Sequence, residues 1–201
     1  MTASGQASYV LGLICGLLLL ALFTIALALA IRPMVREGDR RFRLALAIVG
    51  AVTIVKLALL RHLPGVTVDL MQFESWGRAL AQFGPARVYD PEFVCKYTPA
   101  YLYALWPAAA LAPNWPEYPR IFIESPAVIA DFLLAVTVYA AARLSAPLRF
   151  ALPASLLVAL NPALIYTSTV WGQNDSAIAF PVLLSVVMAA ESHFAIAWAL
   201  D

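Results

Sequence analysis

Charge is scarce in this sequence. Of its 201 residues 12% are charged, and 13 Lys and Arg against 12 Asp and Glu leave a net charge of +1. The basic residues are scattered, so no stripe or patch offers the electrostatic footprint that a nucleic acid needs. Histidine and cysteine are sparse too, with two of each. Cys15 lies in an apolar run and Cys95 in a polar segment, so they are not expected to pair, and no Cys/His spacing suits zinc. His62 and His193 stand alone, which leaves a ligand role without partners. No internal repeat is visible, and that counts against a secondary transporter built from paired, interrupted spans.

What the chain has in abundance is apolar surface. Hydrophobic residues make up 63% of it, and the mean hydropathy is +0.82. A composition of this kind belongs in lipid, so an all-α polytopic membrane bundle is expected. Apolar runs long enough to cross about 30 Å of hydrocarbon occur at 8 to 31, 44 to 63, 122 to 142, 150 to 168 and 176 to 190. A last apolar run from His193 to Leu200 is too short to span, and the sequence is expected to end inside a helix.

Orientation follows from arginine. The loop "IRPMVREGDRRFR" carries Arg32, Arg36, Arg40, Arg41 and Arg43, and "RLSAPLR" carries Arg143 and Arg149. The positive-inside bias puts both loops in the cytoplasm. Segment 64 to 121 and the turn 169 to 175 then face outside. This requires that "TPAYLYALWPAAALAP" (98 to 113), interrupted by Pro107, be a re-entrant or interfacial helix rather than a span. Ala28-Leu29-Ala30 looks like a signal-peptidase site, but no Lys or Arg precedes the run and its apolar core is long for a signal. A retained helix with its N-terminus outside is expected. Residues 1–43 are therefore read as an extra N-terminal span with its basic loop, and 44–201 as the main transmembrane module.

Two polar features interrupt the outer side. In "DLMQFESWGRALAQFG", Phe73, Trp76, Leu80 and Phe83 recur at spacings of three and four, the mark of an amphipathic helix, expected to lie on the membrane surface with Asp69 at its head. In "TVWGQNDSAIAF", Trp171, Gln173, Asn174 and Asp175 sit between two apolar runs. Each has an ordinary explanation as well. Asp69 with Gln72 three residues on is a capping-box pattern; Trp171 suits an interfacial anchor, and Asn174 or Asp175 suits a helix cap.

Taken together, Asp69, the Trp76-containing helix, "VYDPEFVCKYTPAYLY", the aspartate-bearing span "ESPAVIADFLLAVTVYAAARL" and "ALNPALIYTSTVWGQNDSAIA" resemble the bacterial GT-C glycosyltransferases, over about residues 44 to 201. The resemblance implies an enzyme that moves a hexose from a polyprenyl-phosphate carrier to an acceptor hydroxyl at the outer face of a bacterial-type cell membrane, with inversion. It implies that Asp69 is the catalytic aspartate of the first outer loop and that Trp171 to Asp175 form part of a second loop facing the same site. "KYTP" (Lys96 to Pro99) matches a segment that often reads Tyr-Pro-Pro, and Thr98 departs from it. GT-C members are much longer, so the resemblance implies only the N-terminal part of such a fold.

Mechanistically, one carboxylate suffices for a single displacement, and Asp69 is expected to take the acceptor proton. The departing phosphate needs cations, for which Arg78, Arg87 and Lys96 are candidates, although an interfacial cation taken singly more often contacts lipid headgroups. Trp171, Gln173, Asn174, Asp175 and Tyr97 complete the expected substrate-binding set. No cofactor is expected; a divalent ion between Asp69 and Asp175 is the second choice. The expected partners are the lipid-linked donor, a glycan, lipid or protein acceptor, and membrane lipids. Asp69 and the turn should lie within about 15 Å across one outward-facing cavity. Lys56 and Asp131, both about seven residues inside their spans, are expected to face the bundle interior and pair. The rival readings are a non-catalytic or degenerate membrane subunit and a secondary transporter.

Overall fold

The computed structural model describes residues 3–60, 62–63, 65–84, 87–97, 101–103, 105–106 and 120–193, and among them there is helix and no strand. Seven helices are numbered here in chain order. They are α1 (Ala3–Arg36), α2 (Arg40–Leu59), α3 (Thr67–Phe83), α4 (Arg120–Ser145), α5 (Ala151–Ala159), α6 (Pro162–Tyr166) and α7 (Asp175–Ala190). Among the described residues three helical stretches are long and apolar enough to cross a membrane: Arg40–Leu59, Ile123–Ser145 and Leu148–Trp171. They mark a helical membrane protein. Ala21–Pro33 of α1 and all of α7 are apolar over shorter lengths.

The central span is α4. More than half of its apolar stretch is buried, whereas α2 and Leu148–Trp171 leave most of theirs uncovered by the described residues. Around α4 pack α2, α5 and α7. The main core joins Phe42, Leu134, Val136, Tyr139, Phe180, Leu184 and Met188, with Leu22 and Phe23 of α1 leaning on it. Phe23 meets Phe180 at 5.6 Å between ring centres. Local chemistry starts and stops these elements. Gly38 turns the chain at φ +63°, and the Asp39 carboxylate then caps α2 by accepting from Arg41 N at 2.9 Å and Phe42 N at 3.2 Å. Asn161 caps α6 through Ala163 N at 2.9 Å, with Pro162 at the first helical position, where its missing N–H costs nothing.

The observed ends differ from those expected of the sequence at one point that matters. The apolar run 150 to 168 breaks at Leu160–Asn161, and the winding that restarts at Pro162 continues to Trp171, so the turn shrinks from 169–175 to Gly172–Asn174. The cause is a π-turn over Thr167–Trp171. The Thr167 carbonyl accepts from both Gly172 N at 2.9 Å and Gln173 N at 2.8 Å, and Gly172, left-handed at φ +90°, ends the winding.

A second correction concerns α3. Its stripe is real, but Phe73, Trp76 and Leu80 do not lie in lipid headgroups. They are buried against Tyr101, Leu102, Leu105, Trp106 and Ile123. Phe73 contacts Trp76, Tyr97 and Tyr101, each at 5.4 Å between centroids. Trp76 also donates to Phe93 O at 2.8 Å, which ties the 87–97 loop to the helix. Aromatic stripes suit either an interface or a protein core, and here another layer of the chain covers this one. Of the expected re-entrant helix at 98 to 113, residues 101–103 and 105–106 are helical and the rest lies outside the described residues, as do Thr98, Pro99 and residues 194–201 of the final apolar run.

Candidate functional site

At the bundle end where α3 begins, four segments converge: the residues before α3, its first turn, the 87–97 loop and the turn before α7. Asp69 is in the first turn of α3, whose N-cap is Val66 with no side-chain bond. The capping-box reading therefore fails, although a carboxylate in this turn is still favoured by the helix dipole. Its side chain reaches across the sequence instead. Asp69 Oδ2 accepts from Trp171 Nε1 at 2.6 Å and from Gln173 Nε2 at 2.8 Å. Tyr97 donates its hydroxyl to Gln173 Oε1 at 3.1 Å. A carboxylate only accepts, so it fixes which end of the Gln173 amide faces it, and the tyrosine hydroxyl meets the other end. Burial raises the Tyr97 hydroxyl above its ordinary value, and the charges of Asp69 and Asp175 raise it further. Its proton stays available for this bond. The backbone closes the contact with Val66 N donating to Trp171 O at 3.4 Å.

Asp69 and the turn thus touch directly, closer than an intervening cavity would allow. Oδ1 of Asp69 has no hydrogen bond to any described residue, and the side chain is half-buried. Trp171 stays 39% exposed, edge-on to Tyr166 at 6.2 Å. The other turn residues diverge. Asn174 is buried, with no partner for Nδ2 among the described residues, whereas Asp175 is exposed at the start of α7.

The expected cations are placed unevenly. Arg78 pairs with Glu74 on the exposed face of α3, roughly 13 Å along the helix from Asp69. Arg87 pairs with Asp90 at 2.7 Å and Glu92 at 3.5 Å. Lys96 is exposed beside Tyr97 in sequence. The cation that binds these loops together is Arg120, which had no sequence signal beyond its place at the head of a span. Its Nε donates to Glu124 Oε1 at 2.8 Å. Nη1 donates to Leu63 O, and Nη2 to Thr169 O at 2.6 Å and Val170 O at 3.2 Å. Glu124 is wholly buried, and its Oε2 has no partner among the described residues.

About two turns further along α4 than Glu124, the paired charges expected inside the bundle are in contact. Lys56 Nζ donates to Asp131 Oδ2, and Ser176 donates to Asp131 Oδ1. Through Ser176 this cluster joins α2 and α4 to the first turn of α7, next to the polar turn. Among the described residues no group of three His, Cys, Asp or Glu side chains could hold a metal ion. A hollow of about 490 Å³ lies elsewhere, along Pro153, Leu156, Leu157, Leu160, Asn161 and Pro162. Its lining is apolar apart from Asn161.

Comparisons with protein-family models, with curated proteins and with solved structures find no match. The residues and their geometry therefore carry the functional reading.

Proposed function

We propose that this chain carries part of the active site of a GT-C-type membrane glycosyltransferase, acting at the outer face of a cell membrane on a polyprenyl-phosphate-linked hexose. The observation that carries the reading is the Asp69 carboxylate. It is anchored through Oδ2 by two residues more than 100 positions away, Trp171 and Gln173, and its Oδ1 takes no hydrogen bond from the described residues. A base must be oriented before it can act, and two donors on one oxygen orient it. In the proposed step the acceptor oxygen attacks the anomeric carbon while its proton passes to Asp69 Oδ1. The bond from that carbon to the phosphate oxygen breaks, and the electron pair leaves with the phosphate. Lys96 is the exposed cation next to Tyr97 and supplies charge to the leaving group. Arg78, spent on Glu74, is given no part.

The same contact also favours a second reading, in which Asp69 only stitches two loops of a non-catalytic subunit. Asp69→Asn separates the two in the full-length protein, reconstituted with a polyprenyl-phosphate hexose and acceptor. Asparagine keeps an oxygen for Trp171 and Gln173 but cannot take a proton. Transfer should fall by about 100- to 10,000-fold with the unfolding midpoint unchanged. Transfer within about twofold of wild type would leave only the stitch.

A further inference from the structure

Asp69 and its anchors belong to segments far apart in sequence, so something must hold those segments in register. We infer that Arg120 and Glu124 are positioning residues that hang both halves of the Asp69 site from one guanidinium. The inference rests on the proposed function for its activity arm and on geometry alone for the rest.

Arg120 Nη1 takes the carbonyl of Leu63, in the segment that leads into α3 and Asp69. Nη2 takes the carbonyls of Thr169 and Val170, immediately before Trp171. Those two carbonyls end a helical rod, where a cation is favoured by the dipole. Glu124 holds the third edge of the fork through Nε. The backbones lie close over this pair. A Cβ on Gly65 would stand 3.0 Å from Arg120 Cζ, and one on Gly172 would stand 2.5 Å from Glu124 Oε1. Trp171 and Gln173 flank Gly172, so the turn that holds Asp69 on one side rests on Glu124 on the other. Both glycines have positive φ, +65° and +90°, which allows the approach. A planar fork with donors in three directions can serve two loops and a carboxylate at once, which a lysine ammonium cannot.

The test is Arg120→Lys in the full chain in lipid nanodiscs, read first by amide hydrogen exchange. The Val66 amide reports the loop contact through Trp171 O, and the Gly172 amide reports the π-turn through Thr167 O. Both should exchange about tenfold faster or more, with α2 and α4 interior amides unchanged. In the transfer assay, kcat should fall about tenfold or more with the donor KM within about twofold, because alignment is lost and binding is kept. Exchange at Val66 and Gly172 within about twofold of wild type overturns the inference. If Asp69→Asn retains transfer while Arg120→Lys still speeds exchange, the glycosyltransferase reading fails and the positioning role stands. Should Arg120→Lys not insert, Glu124→Ala removes the carboxylate that holds the fork through Nε. Faster Val66 exchange then supports the inference, and an unchanged rate overturns it.

Discussion

Removing Lys56 from the bundle tests the interior ion pair most directly. Lys56 and Asp131 have side chains only 4% and 7% exposed, so water and salt screen them little. At an effective dielectric of about 20, unit charges about 4 Å apart attract by about 4 kcal/mol, and much of this repays the desolvation of the two ions. The pair is therefore a small net contributor, but either half alone is costly. Lys56→Met leaves the Asp131 carboxylate buried with the Ser176 hydroxyl as its one remaining donor among the described residues, and Asp131→Leu strands the ammonium. Each single variant should lose about 3–5 kcal/mol, while the double variant Lys56→Met/Asp131→Leu should return to within about 1 kcal/mol of wild type. The assay is reversible unfolding of the full chain in mixed micelles, followed by helical circular dichroism, for all four members of the cycle. Singles that lose less than about 1 kcal/mol, or a double variant that loses the sum of the singles, would refute the reasoning.

Three further outcomes follow from the packing. Trp76→Ala should cost about 3–5 kcal/mol, since the ring is buried in protein; a surface helix held by lipid would show weaker membrane partition with little change in unfolding. At the arginine-rich end, burial pushes the Asp39 carboxyl up, but the Tyr139 hydroxyl, the Phe42 and Arg41 amides and Arg143 outweigh it and hold the carboxyl below its ordinary value. Its stabilisation is thus present above the ordinary carboxylate range and lost as pH falls through the lower folded value. Tyr139→Phe should flatten the acid limb of the unfolding midpoint against pH. The Tyr97 hydroxyl is shifted the other way, chiefly by burial. Its bond to Gln173 should survive until pH rises through a value above the usual tyrosine range, and Tyr97→Phe should remove about 0.5–1.5 kcal/mol at neutral pH, seen in the Gln173 side-chain amide resonances.

Parts of the site were legible because membranes are strict about polarity. An aspartate heading an amphipathic stripe and a tryptophan-amide turn between apolar runs stand out in a chain with few polar residues, and their contact at 2.6 Å bears out the expected proximity. Arg120 and Glu124 escaped notice for a physical reason. An arginine at the head of a span reads as an interfacial anchor, and the partners that give it a role are carbonyls, which every residue has. The π-turn over Thr167–Trp171 was equally silent, since it depends on how the Thr167 carbonyl is shared rather than on any residue type.

Composition and periodicity alone settled that the chain is helical and apolar enough to span a membrane, because a backbone in hydrocarbon must satisfy its own hydrogen bonds. Similar depth in two spans suggested that Lys56 and Asp131 both face the bundle interior, and the structure brings them into contact. Only the tertiary structure decided that the stripe of α3 is covered by protein, that Asn174 is buried while Asp175 is exposed, and that one guanidinium gathers both loops. Those outcomes depend on which surfaces meet, and hydropathy measures how much each residue avoids water without saying what it will touch instead.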